Sequence, residues 1–316
     1  MIVSIKKILK TSIPLIFGAV LVWYSLSKIS INVLIGYFKE ANYAWIFLGL
    51  FFGILSHLSR AYRWKFMLDP LGFKPRFTNS VLAVLVGYLV NLAIPRAGEV
   101  SRAFVLTNYE QIPFEKGFGT IVAERIADLV MMLCIIIITL FVQFDFIYDL
   151  LTKNFDASKI SIGLIILTII CYILYFFVKK ATSGILLKIK TFVIGLVEGV
   201  TSIFRMKNKV AFIFHTIFIW VMYVAMFWAT IPAISGLEVP FGGVLIGFIA
   251  GGFSIAATNG GIGLYPIAVA GALALFDIPS DPAIAFGWIM WTAQTAMIII
   301  FGGLAFLFLP IYNKHK

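Results

Sequence analysis

Apolar runs of bilayer-crossing length recur along this chain and constrain it more than any motif does. They cover roughly 13–26, Tyr43–Leu58, Gly119–Phe141, Ile160–Val178, Val210–Ile231 and Ile284–Leu309. At ~1.5 Å of rise per helical residue, each is long enough, or nearly so, for a ~30 Å hydrocarbon core. A chain that is 61% hydrophobic and 12% charged lacks the polar surface to cover a soluble fold and is too apolar to stay disordered. The runs show no dyad alternation, which excludes a transmembrane β-barrel. The expected class is an all-α polytopic membrane protein, a single integral membrane domain over 1–316.

The formal net charge of +11 suits cytoplasmic loops facing anionic headgroups, not nucleic acid. Lys6, Lys7 and Lys10 precede the first run, and no small-residue cleavage site follows it, so it reads as a retained helix. Arg60, Arg63, Lys65, Lys74 and Arg76 form a second basic stretch, and 179–209 a third; Lys314 and Lys316 end the sequence. The segments 30–41, 142–159 and 232–241 carry no such excess. The positive-inside rule places the basic stretches and both termini in the cytoplasm of a bacterial-type plasma membrane. The segment 179–209 reads equally well as a basic amphipathic stretch on the inner leaflet or as a solvated loop.

This orientation has a parity consequence. Residue 77 and the start of the run at Gly119 are both cytoplasmic, so 78–117 must enter and return. It is apolar over 78–94, charged beyond Ala97, and expected to turn near Pro95. Likewise 242–278 must go in and come back, breaking at Thr258–Gly263. The expectation is about six full spans plus two re-entrant hairpins, arranged as inverted repeats over 43–141 and 210–309.

Chemistry-bearing residues cluster in four places. The first is Pro95-Arg96-Ala97-Gly98-Glu99-Val100-Ser101-Arg102. Pro95 suits the first position of the return helix, whose free N–H groups would then point at the tip. Arg96, Glu99 and Arg102 recur every third residue near one face, a fit for phosphate; the alternative is an internal clamp of Arg96 with Glu99 or Glu124. The second is Glu124-Arg125-Ile126-Ala127-Asp128 in an otherwise apolar span. Each such charge costs about 2.5–3.5 kcal/mol at the bilayer centre. Pairing with Arg96 and Arg102 is the preferred role. The third is Arg60-Ala61-Tyr62-Arg63-Trp64-Lys65, in which Arg60 and Arg63 either hold a lipid phosphate or act as positive-inside anchors, with Trp64 at the interface.

The fourth is Asn259-Gly260-Gly261-Ile262-Gly263-Leu264-Tyr265-Pro266. Its glycines permit a tight turn and a backbone nest. Packing of the small-residue face Gly243, Gly247 and Gly251 is the competing explanation. Gln294 and Trp291 could line a cavity, with packing the preferred role. His57, His215 and His315 match no metal spacing, and Cys134 and Cys171 sit inside apolar runs as core residues. No Walker A, zinc-protease helix or nucleophile elbow appears. Neither metal nor cofactor is expected.

These residues carry a resemblance. Arg60-x-x-Arg63-Trp64, Asn91-x-x-x-Pro95-Arg96-x-Gly98-Glu99-x-x-Arg102, Glu124-Arg125-x-x-Asp128 and Gly260-Gly261-Ile262-Gly263 stand in an order and spacing that resemble the lysylphosphatidylglycerol synthase transmembrane, or flippase-like domain, family. The resemblance covers nearly the whole chain. It implies helices with two re-entrant hairpins around a lipid cavity, and movement of a phospholipid or lipid-linked molecule between leaflets. The family's glycine turn is often preceded by Pro and followed by an acid; here Ala257-Thr258-Asn259 and Tyr265-Pro266 stand there. That removes an acid from the second turn and weakens the case for a cationic lysyl headgroup. The soluble aminoacyl-transferase domain of bifunctional relatives is not expected here, so lipid synthesis is not either.

The expected function is therefore a flippase-like transporter of amphipathic lipid. Arg60, Arg63, Arg96 and Arg102 would bind phosphate. Glu99, Glu124 and Asp128 would hold those arginines in place or bind a cationic headgroup, Arg125 would pair with Asp128, and Asn259, Gly260, Gly261 and Gly263 would shape the second turn. The alternatives are an integral-membrane transferase acting on a lipid-linked substrate, or a non-transporting partner of a lipid-modifying enzyme. Beyond lipid and membrane, a second copy of the chain or such an enzyme is the partner to look for.

Overall fold

The computed structural model describes residues 17–154 and 206–314, with scattered positions between 162 and 194. Every regular element among the described residues is helical. In chain order these are α1 (Phe17–Leu26), α2 (Ile31–Glu40), α3 (Tyr43–Leu68), α4 (Phe77–Ala93), α5 (Ala97–Glu110), α6 (Phe114–Val142), α7 (Phe144–Asn154), α8 (Lys209–Thr230), α9 (Phe241–Ala257), α10 (Leu264–Ala274) and α11 (Ser280–Tyr312). The expected span 160–178 and the basic segment 179–209 fall outside the described residues, scattered positions aside.

Four of these helices, α3, α6, α8 and α11, are long and apolar enough to cross a membrane. A fifth span is added if α1 and α2, which meet at a bend of 81°, are taken together. The stretch 30–41, read as a loop from its sequence, is mostly the helix α2, and 142–159 holds α7. The larger correction is α3. It runs to Leu68, well past the expected end at Leu58, because the residues beyond are buried rather than solvated: Arg60, Arg63, Trp64 and Leu68 are all inside. Asn42 starts this helix by accepting the Ala44 N–H at 3.1 Å.

The protein comprises two compact units, 1–124 with 210–316, and 125–209. The second holds the remainder of α6 and α7. The first holds two helix pairs, α4–α5 and α9–α10, each packed on itself and on the long α11. α10 has 11 residues, about 16 Å of helix, too short to cross.

The two pairs occupy opposite ends of α3 and α11. Around α4–α5 the buried cluster is built from Trp64 and Leu68 near the C-terminal end of α3, Leu82, Leu106 and Ile121, and Ala305 and Leu309 near the C-terminal end of α11. Around α9–α10 it uses Ile46 near the start of α3, Phe227 of α8, Val244 and Leu273, and Ala283 to Met290 near the start of α11. Sequence causes both breaks. Ile94 is extended (φ −133°, ψ 111°), as a residue before proline prefers. Pro95 and Arg96 then make a turn closed by Ala97 N–H on the Ile94 carbonyl at 3.1 Å. Pro95 thus sits in the turn, and α5 opens at Ala97, not at the proline. The second break is Thr258–Gly263, in which Gly260, Gly261 and Gly263 have φ of 67°, 81° and 68°.

Candidate functional site

The charged residues of α3, α5 and α6 converge on one carboxylate. Along α3, the buried positions Gly53, Ser56, His57, Arg60, Arg63 and Trp64 are spaced by one helical turn or less and share a face. From that face Arg60 and Arg63 reach Glu124 of α6, which is wholly buried. Arg60 donates from Nη1 to Glu124 Oε1 at 2.5 Å. Arg102 of α5 forks onto both carboxylate oxygens, Nη1 to Oε1 at 3.0 Å and Nη2 to Oε2 at 3.1 Å, the bidentate geometry that suits guanidinium to carboxylate. Arg63 Nη2 lies 3.6 Å from Oε1. The four side chains are 0–4% exposed.

Neutral groups hold the arginines in place. Arg63 Nη1 donates to Thr216 Oγ1 at 2.9 Å. Thr216 in turn donates to the Phe212 carbonyl, leaving its lone pairs for the arginine. The Arg102 guanidinium lies over the Trp64 ring at 4.3 Å, a cation–π contact. Trp64 Nε1 donates to Thr120 Oγ1 at 2.8 Å. Trp64 is therefore a fully buried platform, not the interfacial residue its position suggested. Arg60 Nη2 reaches the Tyr223 hydroxyl at 3.4 Å, and that oxygen is 3.2 Å from the Tyr88 hydroxyl. Three guanidinium groups surround the Glu124 carboxylate.

Arg96 is not part of it. It stands exposed at the α4–α5 turn with φ 62° and ψ 7°, the third position of a turn that in this conformation ordinarily takes glycine. Nothing among the described residues hydrogen-bonds or ion-pairs its side chain. Glu99 is half-buried and accepts from Asn91 Nδ2 at 3.4 Å. Asn91 Oδ1 accepts the Gly98 N–H at 2.7 Å, capping the start of α5 from the neighbouring helix. Gly98 must be glycine, because a Cβ there would run into the Gly87 carbonyl. Arg125 and Asp128 lie in the other unit and pair with each other at 3.5 Å.

The glycine turn meets the first turn directly. Asn259 Nδ2 donates to the Leu92 carbonyl at 2.6 Å, and Trp291 Nε1 donates to the Gly260 carbonyl at 2.8 Å. Gly263 has a second demand on it, since a Cβ would strike the α1 backbone at Leu21 and Val22. On α9, Cβ atoms at Gly247 and Gly251 would meet the rings of Phe227 and Tyr265, at 2.9 and 2.7 Å. Those glycines make room for aromatic packing.

Thr216, Tyr223, Tyr88 and Thr120 belong to no motif in the sequence, and His57 matches no metal spacing. Their signal is available in retrospect: polar side chains one or two turns apart on strongly apolar helices, as with His57 and Arg60, or Thr216 and Tyr223. Among the described residues no group of three or more His, Cys, Asp or Glu could hold a metal ion.

The sequence pattern of the lysylphosphatidylglycerol synthase TM region matches residues 12–302. UPF0104 membrane protein MJ1595 of Methanocaldococcus jannaschii is 32% identical over 125 residues, 39% of this chain and 37% of that protein. Glycosyltransferase AglD of Haloferax volcanii is 31% identical over 77 residues, 24% of this chain and 12% of that protein. The matched stretches thus span well under half the length of these curated relatives. No solved structure matches the chain. With apolar spanning helices and a family match over nearly its whole length, this chain is a multi-pass membrane protein that belongs to the lysylphosphatidylglycerol synthase TM region family.

Proposed function

We propose that this protein moves an anionic phospholipid or lipid-linked molecule between membrane leaflets. The observation that carries the proposal is the buried group of Arg60, Arg63, Arg102 and Glu124. Burying ions is expensive, and guanidinium groups gathered at one place inside apolar helices suit a ligand with negative charge. A headgroup phosphate, which accepts bidentate guanidinium bonds, is the natural counterpart. Glu124 keeps the arginines aligned until phosphate replaces it as their acceptor, and Arg96 at the exposed turn meets the headgroup first.

In this reading α4–α5 and α9–α10 are re-entrant hairpins entering from opposite sides, and about six helices span fully. The packing of the pairs on opposite ends of α3 and α11, and the Asn259 bond between their turns, support it. The halves 43–141 and 210–309 are then inverted repeats of a single membrane domain, with both termini in the cytoplasm. A site where two such turns meet lies near the midplane, where alternating exposure needs only small movements of the hairpins.

The test is leaflet exchange in vesicles of phosphatidylcholine containing fluorescent phosphatidylglycerol, read by dithionite quenching. Exchange well above protein-free vesicles is expected; none above that background would overturn the proposal. A second reading, a transferase acting on a lipid-linked substrate, draws on the partial likeness to a glycosyltransferase. It needs Glu99, Glu124 or Asp128 as general acid or base. Both oxygens of Glu124 are engaged by arginine, which suits a positioning role better. Product formed from a labelled lipid would favour the transferase.

A further inference from the structure

Between α1 and α3 the chain turns aside before it goes back. Ser27 ends α1, its hydroxyl donating to the Tyr24 carbonyl at 2.8 Å, and α2 then leaves at 81° to α1. The ten residues of α2 make ~15 Å of helix, and at that angle they advance only about 2 Å along the direction of α1. α2 therefore adds almost nothing to the crossing of a ~30 Å hydrocarbon core. It runs across the end of α1 instead of prolonging it.

At ~100° of turn per residue, α2 sorts into three stripes. Leu34, Tyr37 and Phe38 face the protein, in or against the buried cluster around α9–α10. Ile31 and Ile35, one turn apart on the next stripe, are 59% and 45% exposed. Asn32, Gly36, Lys39 and Glu40 make the remaining face, with Val33 at its edge. A helix with one side on protein, one apolar and open, and one polar is built for a boundary between hydrocarbon and water.

The two ends of α2 say what covers the isoleucines. Trp23 and Tyr24 close α1 before it, and Tyr43 and Trp45 open α3 after it, all four exposed. Trp and Tyr at the ends of spanning helices mark the headgroup level. The Lys28 ammonium lies 4.7 Å over the Tyr24 ring. The Tyr43 hydroxyl donates to the Phe38 carbonyl at 2.8 Å, tying the end of α2 to the start of α3. Further along both neighbours the outer surface stays apolar, with Val20 on α1 and Phe47 and Phe51 on α3 exposed.

We propose that α2 is an interfacial helix seated in the bilayer at the boundary between headgroups and acyl chains. Ile31 and Ile35 lie among the upper acyl carbons, and Lys28 and Lys39 extend to the phosphates. The partner of the apolar flank is membrane lipid, and the seat goes beyond the transport reading without needing it. Because Leu34, Tyr37 and Phe38 belong to the packing around α9–α10, α2 holds that end of the helix bundle at the level of the interface.

The experiment uses the full-length protein with Cys134→Ala and Cys171→Ala, in vesicles of phosphatidylcholine and phosphatidylglycerol. Ile31→Cys, Ile35→Cys, Asn32→Cys, Lys39→Cys and Phe51→Cys each carry one nitroxide. Its collisions are read with oxygen, which concentrates in hydrocarbon, and with nickel ethylenediaminediacetate, which stays in water. Labels at 31 and 35 should favour oxygen and report a depth of ~5–10 Å. Labels at 32 and 39 should favour the nickel complex, and the label at 51, about two turns into α3, should be the deepest. The nickel complex favoured at all four α2 positions would place α2 in water. Oxygen favoured at all four would bury it as part of a span. Labels at 31 and 35 that meet neither reagent would mean that protein, such as a second copy of the chain, covers the flank. Each of these three results would overturn the proposal.

Discussion

At the first turn, between α4 and α5, the chain reverses through Ile94, Pro95 and Arg96, with Asn91, Glu99 and Arg102 close by on the flanking helices. At the second, between α9 and α10, it reverses through Thr258–Gly263 with no charged side chain in the turn. Both breaks deliver a helix pair that packs on itself and on α11, and the two turns are joined by Asn259. One geometric task is met by a charged turn in one half and by glycine in the other. Charged side chains stand on one side of the joined turns only. The second half supplies a close-packed support for the first, which carries the charges.

The comparison breaks most severely at Glu124. Glu124→Gln leaves three buried guanidinium groups without their carboxylate, and removing one partner of a buried ion pair costs about 3–5 kcal/mol. The expected outcome is a large drop in the midpoint of thermal aggregation in detergent, with helix content retained at low temperature. Restoring balance by Arg60→Gln in the same chain should recover part of the loss. If Glu124→Gln alone is neutral, the positive charge of the group is balanced by something other than this carboxylate.

The second half should break through its backbone instead. Gly263→Ala places a side chain at φ 68° and against the α1 backbone, at a cost of about 1–3 kcal/mol. The same thermal measurement reads it. Because its strain is steric, its effect should not change with ionic strength or added anionic lipid, whereas that of Glu124→Gln should shrink when anionic lipid is supplied. A shared lipid dependence would mean that charge and close packing are not divided between the two turns.

Much of this division was legible in the sequence. Pro95 inside an apolar run, and three glycines at a second interruption, mark both breaks. The contents of the cluster were less legible. Glu124 sits 64 residues from Arg60 in sequence. An arginine after an apolar run looks the same whether it faces a headgroup or a buried carboxylate. So Arg60 and Arg63 read equally as anchors, and α3 was expected to stop before them. Pairing of Glu124 with Arg102 followed from the charges available; the absence of Arg96 from the group did not, because a left-handed turn residue cannot be recognised when it is arginine instead of glycine. Thr216 and Tyr223 are single polar groups on an apolar helix, and only the fold shows which arginine each one holds.

Arg96 is the smallest perturbation and the sharpest. A non-glycine residue at φ 62° carries a cost of about 1–2 kcal/mol that glycine does not. Its side chain is exposed and makes no hydrogen bond or ion pair among the described residues, so nothing visible offsets that cost. Strain kept without a structural return is a mark of function when it sits at a site. Arg96→Gly should therefore raise thermal stability by up to about 1 kcal/mol while slowing exchange of phosphatidylglycerol about tenfold, the loss of one charge-assisted contact to the headgroup. Arg96→Lys, which keeps the charge but not the planar fork, should fall between wild type and Arg96→Gly in exchange and match wild type in stability. Gained stability with unchanged exchange would reduce Arg96 to a turn residue and leave the buried three-to-one group as the sole support for an anionic headgroup.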